Sequence, residues 1–132
     1  MRQWMLPAPC MCRNHLLGEH REMHAFAGAL NHKKNVRGHI VDNQLDPTLL
    51  QERHDELANE IDRRARITGR GKGHQTPLPS FNYDYLPDDL KNIRLDVRAA
   101  RRLLISRCDE CARITKLVLK GSLVPMEKDP YD

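Results

Sequence analysis

Two short stretches hold residues whose types and spacing could do chemistry. The chain opens Met1-Arg2-Gln3-Trp4, and further on the run Arg13-Asn14-His15-Leu16-Leu17-Gly18-Glu19-His20-Arg21-Glu22 begins a helical pattern. If the first residues fold back on that helix, an α-amine, the arginines Arg2 and Arg21 and the carboxylates Glu19 and Glu22 meet at one helix end. An α-amino group titrates at about 7.7–8.0, so a useful fraction is an unprotonated nucleophile near neutral pH, whereas a lysine at about 10.4 needs strong perturbation. The set can carry covalent chemistry with the terminus itself as catalyst. Glu19 and Glu22 also read as ordinary helix acids paired with Arg13 or Arg21.

Such a site needs elements that hold it still. Trp4 is expected to anchor the N-terminal arm in the core, because a floppy terminus loses the effective concentration that catalysis requires. The first helix is predicted from an Asn14 N-cap to about Leu30, with Leu16, His20, Met23, Ala27 and Leu30 on one stripe and His15, Glu19, Glu22 and Phe26 on the stripe beside it. A second helix is predicted after Asp46, with Pro47 at its first position and Leu50, His54, Leu57, Ile61 and Ala65 inward as far as Gly69. A third runs from Pro87-Asp88-Asp89 to Gly121 on the repeat Leu90, Ile93, Val97, Ala100, Leu104, Cys108, Cys111 and Val118. No strand is predicted. The fold class is all-α, a single helical domain over residues 1–123 with long irregular connections and an exposed tail over residues 124–132.

Composition fits one domain. With 132 residues, 5% aromatics and 30% charged side chains, the core is modest. The formal net charge of +4 is uneven: Arg2, Arg13, Arg21, Lys33, Lys34 and Arg37 face only Glu19 and Glu22 in the first 40 residues, and Arg63, Arg64, Arg66, Arg70 and Lys72 form a second basic block. Basic blocks on one face attract a polyanion, with an affinity that falls as salt rises; a merely solvated surface is the alternative. The apolar stretch after Trp4 is broken by Pro7 and Pro9 and soon meets Arg13, so neither a signal peptide nor a membrane span is expected. A cytoplasmic location with reduced thiols follows.

Other residues admit two readings. Cys10, Cys12, Cys108 and Cys111 could supply four thiolates to zinc, but Cys108 and Cys111 continue an apolar stripe, and buried free thiols are the adopted reading. His20 and His24 stand four apart with His15 a turn before them, a spacing that permits metal binding; partly buried, satisfied histidines are preferred, and His54 reads likewise. The loop Gly69-Arg70-Gly71-Lys72-Gly73-His74 can contact a DNA backbone but lacks the Ser/Thr of a nucleotide-binding P-loop. Phe81, Tyr83 and Tyr85 could stack on extruded bases, although covering the helices is the simpler role.

The stretch His15-Leu16-Leu17-Gly18-Glu19-His20-Arg21-Glu22, with Arg2 before it and Phe26-Ala27-Gly28-Ala29 after it, resembles the phage endonuclease V type of pyrimidine-dimer DNA glycosylase with apurinic/apyrimidinic lyase activity. Arg53-His54-Asp55-Glu56-Leu57-Ala58-Asn59-Glu60 through Arg64 is similar to that family's second helix, so the resemblance covers about half of the chain. It implies an all-α fold and a division of labour. The amine of Met1 would attack C1′ of the damaged nucleotide, expel the base and form an imine. Glu22 would stabilise the cation and help remove the C2′ proton, so that β-elimination breaks the backbone. Arg2 and Arg21 would hold phosphates, His15 would assist at the sugar or phosphate, and Lys33, Lys34, Arg70 and Lys72 complete the expected DNA-binding set.

The chain departs from the family in two places. Arg2 is too bulky for removal of the initiator methionine, so the amine is expected to belong to Met1, without the threonine side chain of some relatives. The family's aromatic, basic C-terminal tail is replaced by Met126-Glu127-Lys128-Asp129-Pro130-Tyr131-Asp132. The expected partner is double-stranded DNA with a damaged or abasic site, bound by a monomer with no metal, cofactor or membrane. The rivals are a non-catalytic DNA-binding protein on the same scaffold and a metal-dependent nuclease using His15, His20 and His24.

Overall fold

Leu16, Met23, Ala27 and Leu30 recur at helical spacing and all are buried, so the first helix forms with one stripe facing a core. The computed structural model describes residues 1–74 and 76–121, and the expected tail over 124–132 lies outside the described residues. Among the described residues the protein is all-α, with no strand. Its helices are α1 (Arg13–Asn31), α2 (Arg37–Val41), α3 (Leu50–Thr68), α4 (Asp88–Lys91), α5 (Val97–Arg107) and α6 (Asp109–Leu119), and short 3-10 turns cover Ala8–Cys10 and Pro47–Leu49. α1 packs on α3, α5 on α6, and the turn Ala8–Cys10 lies between α3 and α6. No described helix is long and apolar enough to cross a membrane.

The helix ends differ from the sequence reading for local reasons. α1 is capped by Cys12, not Asn14: Cys12 is extended, and its Sγ accepts the His15 N–H at 3.4 Å. Asp46 caps the 3-10 turn through the Thr48 N–H at 2.9 Å; α3 starts after that turn and ends at Gly69, whose φ of +70° suits a residue without Cβ. The third predicted helix is three helices. Asp96 restarts the chain by accepting the Ala99 N–H at 3.1 Å, and Cys108, extended, ends α5 and caps α6 through the Cys111 N–H at 3.4 Å. Leu90, Ala100, Leu104 and Cys111 are nevertheless buried as the periodicity predicted. α2 escaped the reading because it is short; Asn35 Oδ1 accepts the Arg37 N–H at 3.0 Å just ahead of it.

The centre of the α1–α3 contact is polar. Arg53 and Glu19 are 1% and 2% exposed, and both are fixed in a two-pronged pair: Arg53 Nε donates to Glu19 Oε2, and Nη2 donates to Oε1 at 2.9 Å. Arg53 Nη1 also donates to Glu56 Oε1 at 2.9 Å. Burial pushes the Glu19 carboxyl up, while Arg53 and the Trp4 and Met5 N–H groups pull it back. About three turns further along α3, Arg64 Nη2 donates to the Met11 carbonyl at 2.6 Å and the Ala8 carbonyl at 3.2 Å, and nearer to Arg53, Glu56 Oε2 accepts the Ala8 N–H at 3.1 Å. The charged side of α3 thus serves as a receptor for the N-terminal segment.

Replacing Arg53 by methionine keeps the volume but strands a buried carboxylate, and should cost about 3–5 kcal/mol in denaturant unfolding at pH 7. Burial already raises the folded-state pKa of Glu19 in the wild type, and loss of Arg53 raises it further. The deficit relative to wild type should therefore be smallest below the wild-type folded value and grow as pH rises toward the variant's higher one. A variant as stable as wild type at pH 7 would show that the pair does not hold this contact.

Candidate active site

The N-terminal arm is fixed by backbone-like contacts. Gln3 is fully buried, and its side chain pairs with the Asp46 backbone in both directions: Oε1 accepts the Asp46 N–H at 2.6 Å, and Nε2 donates to the Asp46 carbonyl at 3.1 Å. The Gln3 N–H donates to the Gln44 carbonyl at 2.7 Å. Met5 takes a left-handed φ of +61°, and its carbonyl accepts Arg101 Nε at 2.6 Å. Trp4 meets the His15 ring edge-on at 6.1 Å between centroids, and the Arg2 guanidinium lies 5.0 Å from the Trp4 centroid in cation–π contact.

This arm lays the first peptide against α1. The Arg2 N–H donates to Glu22 Oε2 at 3.0 Å. The Met1 amine is one residue away, so bond lengths keep it within about 7 Å of that oxygen. Met1 itself is partly buried against the core. The structure thus brings Arg2 against Glu22, with Met1 next to them in the chain. An amine and a carboxylate held this close to an exposed helix face could share one sugar carbon between them.

The remaining predicted residues fall in different places. Arg21 is exposed and borders a cavity of about 350 Å³ with Leu17, His20, His24 and Thr76. Arg70 and Lys72 line a second cavity of about 230 Å³ together with Arg13 and Arg64, and Leu17 belongs to both. Lys33 and Lys34 are exposed beyond the end of α1, which lies about 13 Å along the axis from Glu22. His15 turns Nδ1 toward sulfur, 3.1 Å from Cys12 Sγ and 3.8 Å from Cys111 Sγ.

Two groupings weighed as alternatives need correction. His15, His20 and His24 do not form one set, because five helical residues turn His15 and His20 about 140° apart. His15 joins Cys12, Cys108 and Cys111, whereas His20 and His24 join His54 from α3 and His74 from the glycine loop. The four-cysteine grouping fails too: Cys10 lies outside this set, beside Thr115, and burial raises its thiol pKa. Nor is His20 satisfied, since its Nε2 and that of His74 are buried without a hydrogen-bond partner.

Both groups are electrostatically distinctive. A hydrogen bond from Cys111, helped by the His15 N–H and ring, pushes the Cys12 thiol down to about 4 despite its burial. The same contact, with burial, holds Cys111 well above the ordinary thiol range. Burial first, and then the charges of His54, His24 and His74, push His20 down to about 4. In sequence, Cys108-x-x-Cys111 and His20-x-x-x-His24 were visible signals; the contributions of His54 and His74 depend on tertiary packing. Gln3, Asp46 and Arg53 support the site without any local pattern announcing it.

Set beside known proteins, the chain has no match among curated proteins or solved structures. A family model, pyrimidine dimer DNA glycosylase, matches residues 1–72. The match contains the arm, α1 with Glu22, and all of α3, and stops before His74 and before Cys108. With more than half of the chain so covered, including the Arg2–Glu22 contact and the Glu19–Arg53 pair beneath it, the protein belongs to the pyrimidine dimer DNA glycosylase family, whose members are DNA repair glycosylases.

Proposed function

We propose that the protein acts as a monomer on double-stranded DNA carrying a pyrimidine dimer or an abasic site, removing the base and cutting the strand through a covalent link to the Met1 amine. The observation that carries this reading is the 3.0 Å hydrogen bond from the Arg2 N–H to Glu22 Oε2. It keeps the first amine and a carboxylate in register before substrate arrives, and much of the benefit of an intramolecular reaction lies in such prepaid positioning.

The steps follow from those two groups. The unprotonated amine attacks C1′, the glycosidic C1′–N bond breaks, and the base leaves with the bonding pair and a proton. The proton the base carries off is the one the amine gives up, and opening of the C1′–O4′ bond, with O4′ taking a proton from water, then gives a protonated imine. Glu22, anionic beside it, stabilises that cation, the kind of preorganised charge that lowers a barrier most in a partly dry site. Its carboxylate then accepts a C2′ proton, and the C3′–O bond breaks with the phosphate as leaving group. Water hydrolyses the imine and frees the terminus.

Other residues bind and position. Arg2 and Arg21 flank the reacting carbon and hold phosphates; Arg70 and Lys72 extend the grip along the glycine loop. His15 supports Trp4, and through it Arg2. Lys33 and Lys34 would reach a more distant part of the duplex.

Borohydride should trap the protein on abasic-site DNA, and acetylating the α-amine should abolish trapping; trapping that persists would shift the nucleophile to a lysine such as Lys33 or Lys34. Binding with neither trapping nor cleavage would point to a binding protein instead. Glu22→Gln should bind DNA as wild type does while strand cleavage falls about 10²–10⁴-fold; a fully active variant removes Glu22 from the mechanism. Arg21→Ala should weaken binding and lower the slope of log K against log salt by about one. An unchanged slope takes Arg21 off the list of phosphate contacts.

A further inference from the structure

We propose that Cys12, His15, Cys108 and Cys111 bind one zinc ion, and that His20, His24, His54 and His74 bind a second. In each group the four donor atoms lie within 4.8 Å of one another. The two groups rest on different observations.

For the first, the spacing of the donors is that of a tetrahedron. Zinc–sulfur bonds of about 2.3 Å and zinc–nitrogen bonds of about 2.0–2.1 Å give sulfur–sulfur edges of about 3.8 Å and sulfur–nitrogen edges of about 3.5 Å. The Cys108 and Cys12 sulfurs are 3.9 Å apart, and His15 Nδ1 lies 3.1 Å from Cys12 Sγ and 3.8 Å from Cys111 Sγ. The ligands come as Cys12-x-x-His15 and Cys108-x-x-Cys111, with Cys12 capping α1 and Cys108 capping α6. Each helix start therefore aims N–H groups at sulfur: His15 N–H to Cys12 at 3.4 Å, Cys111 N–H to Cys108 at 3.4 Å, and Cys12 N–H to Cys111 at 3.3 Å. Such donors favour the thiolate, the form that ligates metal. All four cysteines are free thiols, so no disulfide competes.

For the second, the signal is unsatisfied nitrogen. His20 Nε2 and His74 Nε2 are buried without partners, and His24 Nε2 faces His54 Nε2 at 3.2 Å, close to the roughly 3.3 Å nitrogen–nitrogen edge of a tetrahedral zinc site. Buried imidazole nitrogens that converge on one point lose hydration with no return unless an ion sits among them. His54 Nδ1 is hydrogen-bonded to Asp55 Oδ1 at 2.9 Å, the outer carboxylate that commonly orients a ligating histidine. The loop is shaped to deliver His74: Gly73 has φ +71°, a Cβ there would come within 2.5 Å of Asp62 Oδ1, and that oxygen accepts the His74 N–H. With four protein ligands each, both sites are closed and structural rather than open and catalytic.

Zinc is measured by mass spectrometry in untagged full-length protein purified without chelator and then dialysed against zinc. About two equivalents per chain are expected. Cys108→Ser should lose one and His74→Asn the other. If Cys108→Ser does not fold, wild type still answers the question: titrating its thiols with a mercurial should release one equivalent to a colorimetric indicator and leave one bound. Cobalt substitution should give thiolate-to-cobalt charge-transfer absorption that His74→Asn retains. Wild type that neither contains nor takes up zinc overturns both sites. One equivalent that survives mercurial treatment and is lost in His74→Asn overturns the cysteine site. One equivalent that mercurial releases and His74→Asn keeps overturns the histidine site.

Discussion

The Glu19–Arg53 pair is the interaction on which the rest of the architecture depends. A buried guanidinium and a buried carboxylate each carry a large desolvation penalty, recovered only if the geometry is good and the remaining hydrogen-bonding capacity is filled. Here it is filled by the N-terminal arm: Glu19 receives N–H groups of Trp4 and Met5, and Arg53 is shared with Glu56, which in turn holds Ala8. The ionic core and the N-terminal arm therefore satisfy each other. Two hydrophobic side chains in their place could hold α1 on α3, but they would offer the arm no acceptors.

α1 is the axis around which everything else is distributed. Its buried stripe of Leu16, Met23, Ala27 and Leu30 leaves two flanks. Glu22 lies on one with Arg2 beside it, whereas His20 and His24 lie on the other facing α3 and the glycine loop. Between them the exposed Arg21 stands close to both. One helix thus supplies an acid, a cation and two imidazoles without asking any of them to leave a regular backbone.

What could be read in the sequence was whatever repeats locally. The buried stripes of α1 and α3 follow from spacing alone, and the joint placement of Met1, Arg2 and Glu22 from a family-like motif. The single third helix was misread because Cys108 lies on the apolar stripe and breaks the backbone at the same time, so periodicity passes through the break unchanged. The Glu19–Arg53 pair was hidden for a different reason. Sequence patterns reveal partners three or four residues apart on one helix, while these are 34 apart on two, and arginine is among the residues seldom found fully buried. His54 and His74 share that problem: each is an unremarkable residue until packing brings it against His20 and His24.

Arg101 reaches from α5 to the Met5 carbonyl, and α6 brings Cys108 and Cys111 to the start of α1. Both lie beyond the stretch shared with the family. The carboxy-terminal third is therefore a brace for the N-terminal arm, not an appendage to it. Without these contacts from α5 and α6, the opening segment would rely on α1, α3 and the Gln44–Asp46 stretch to stay in place.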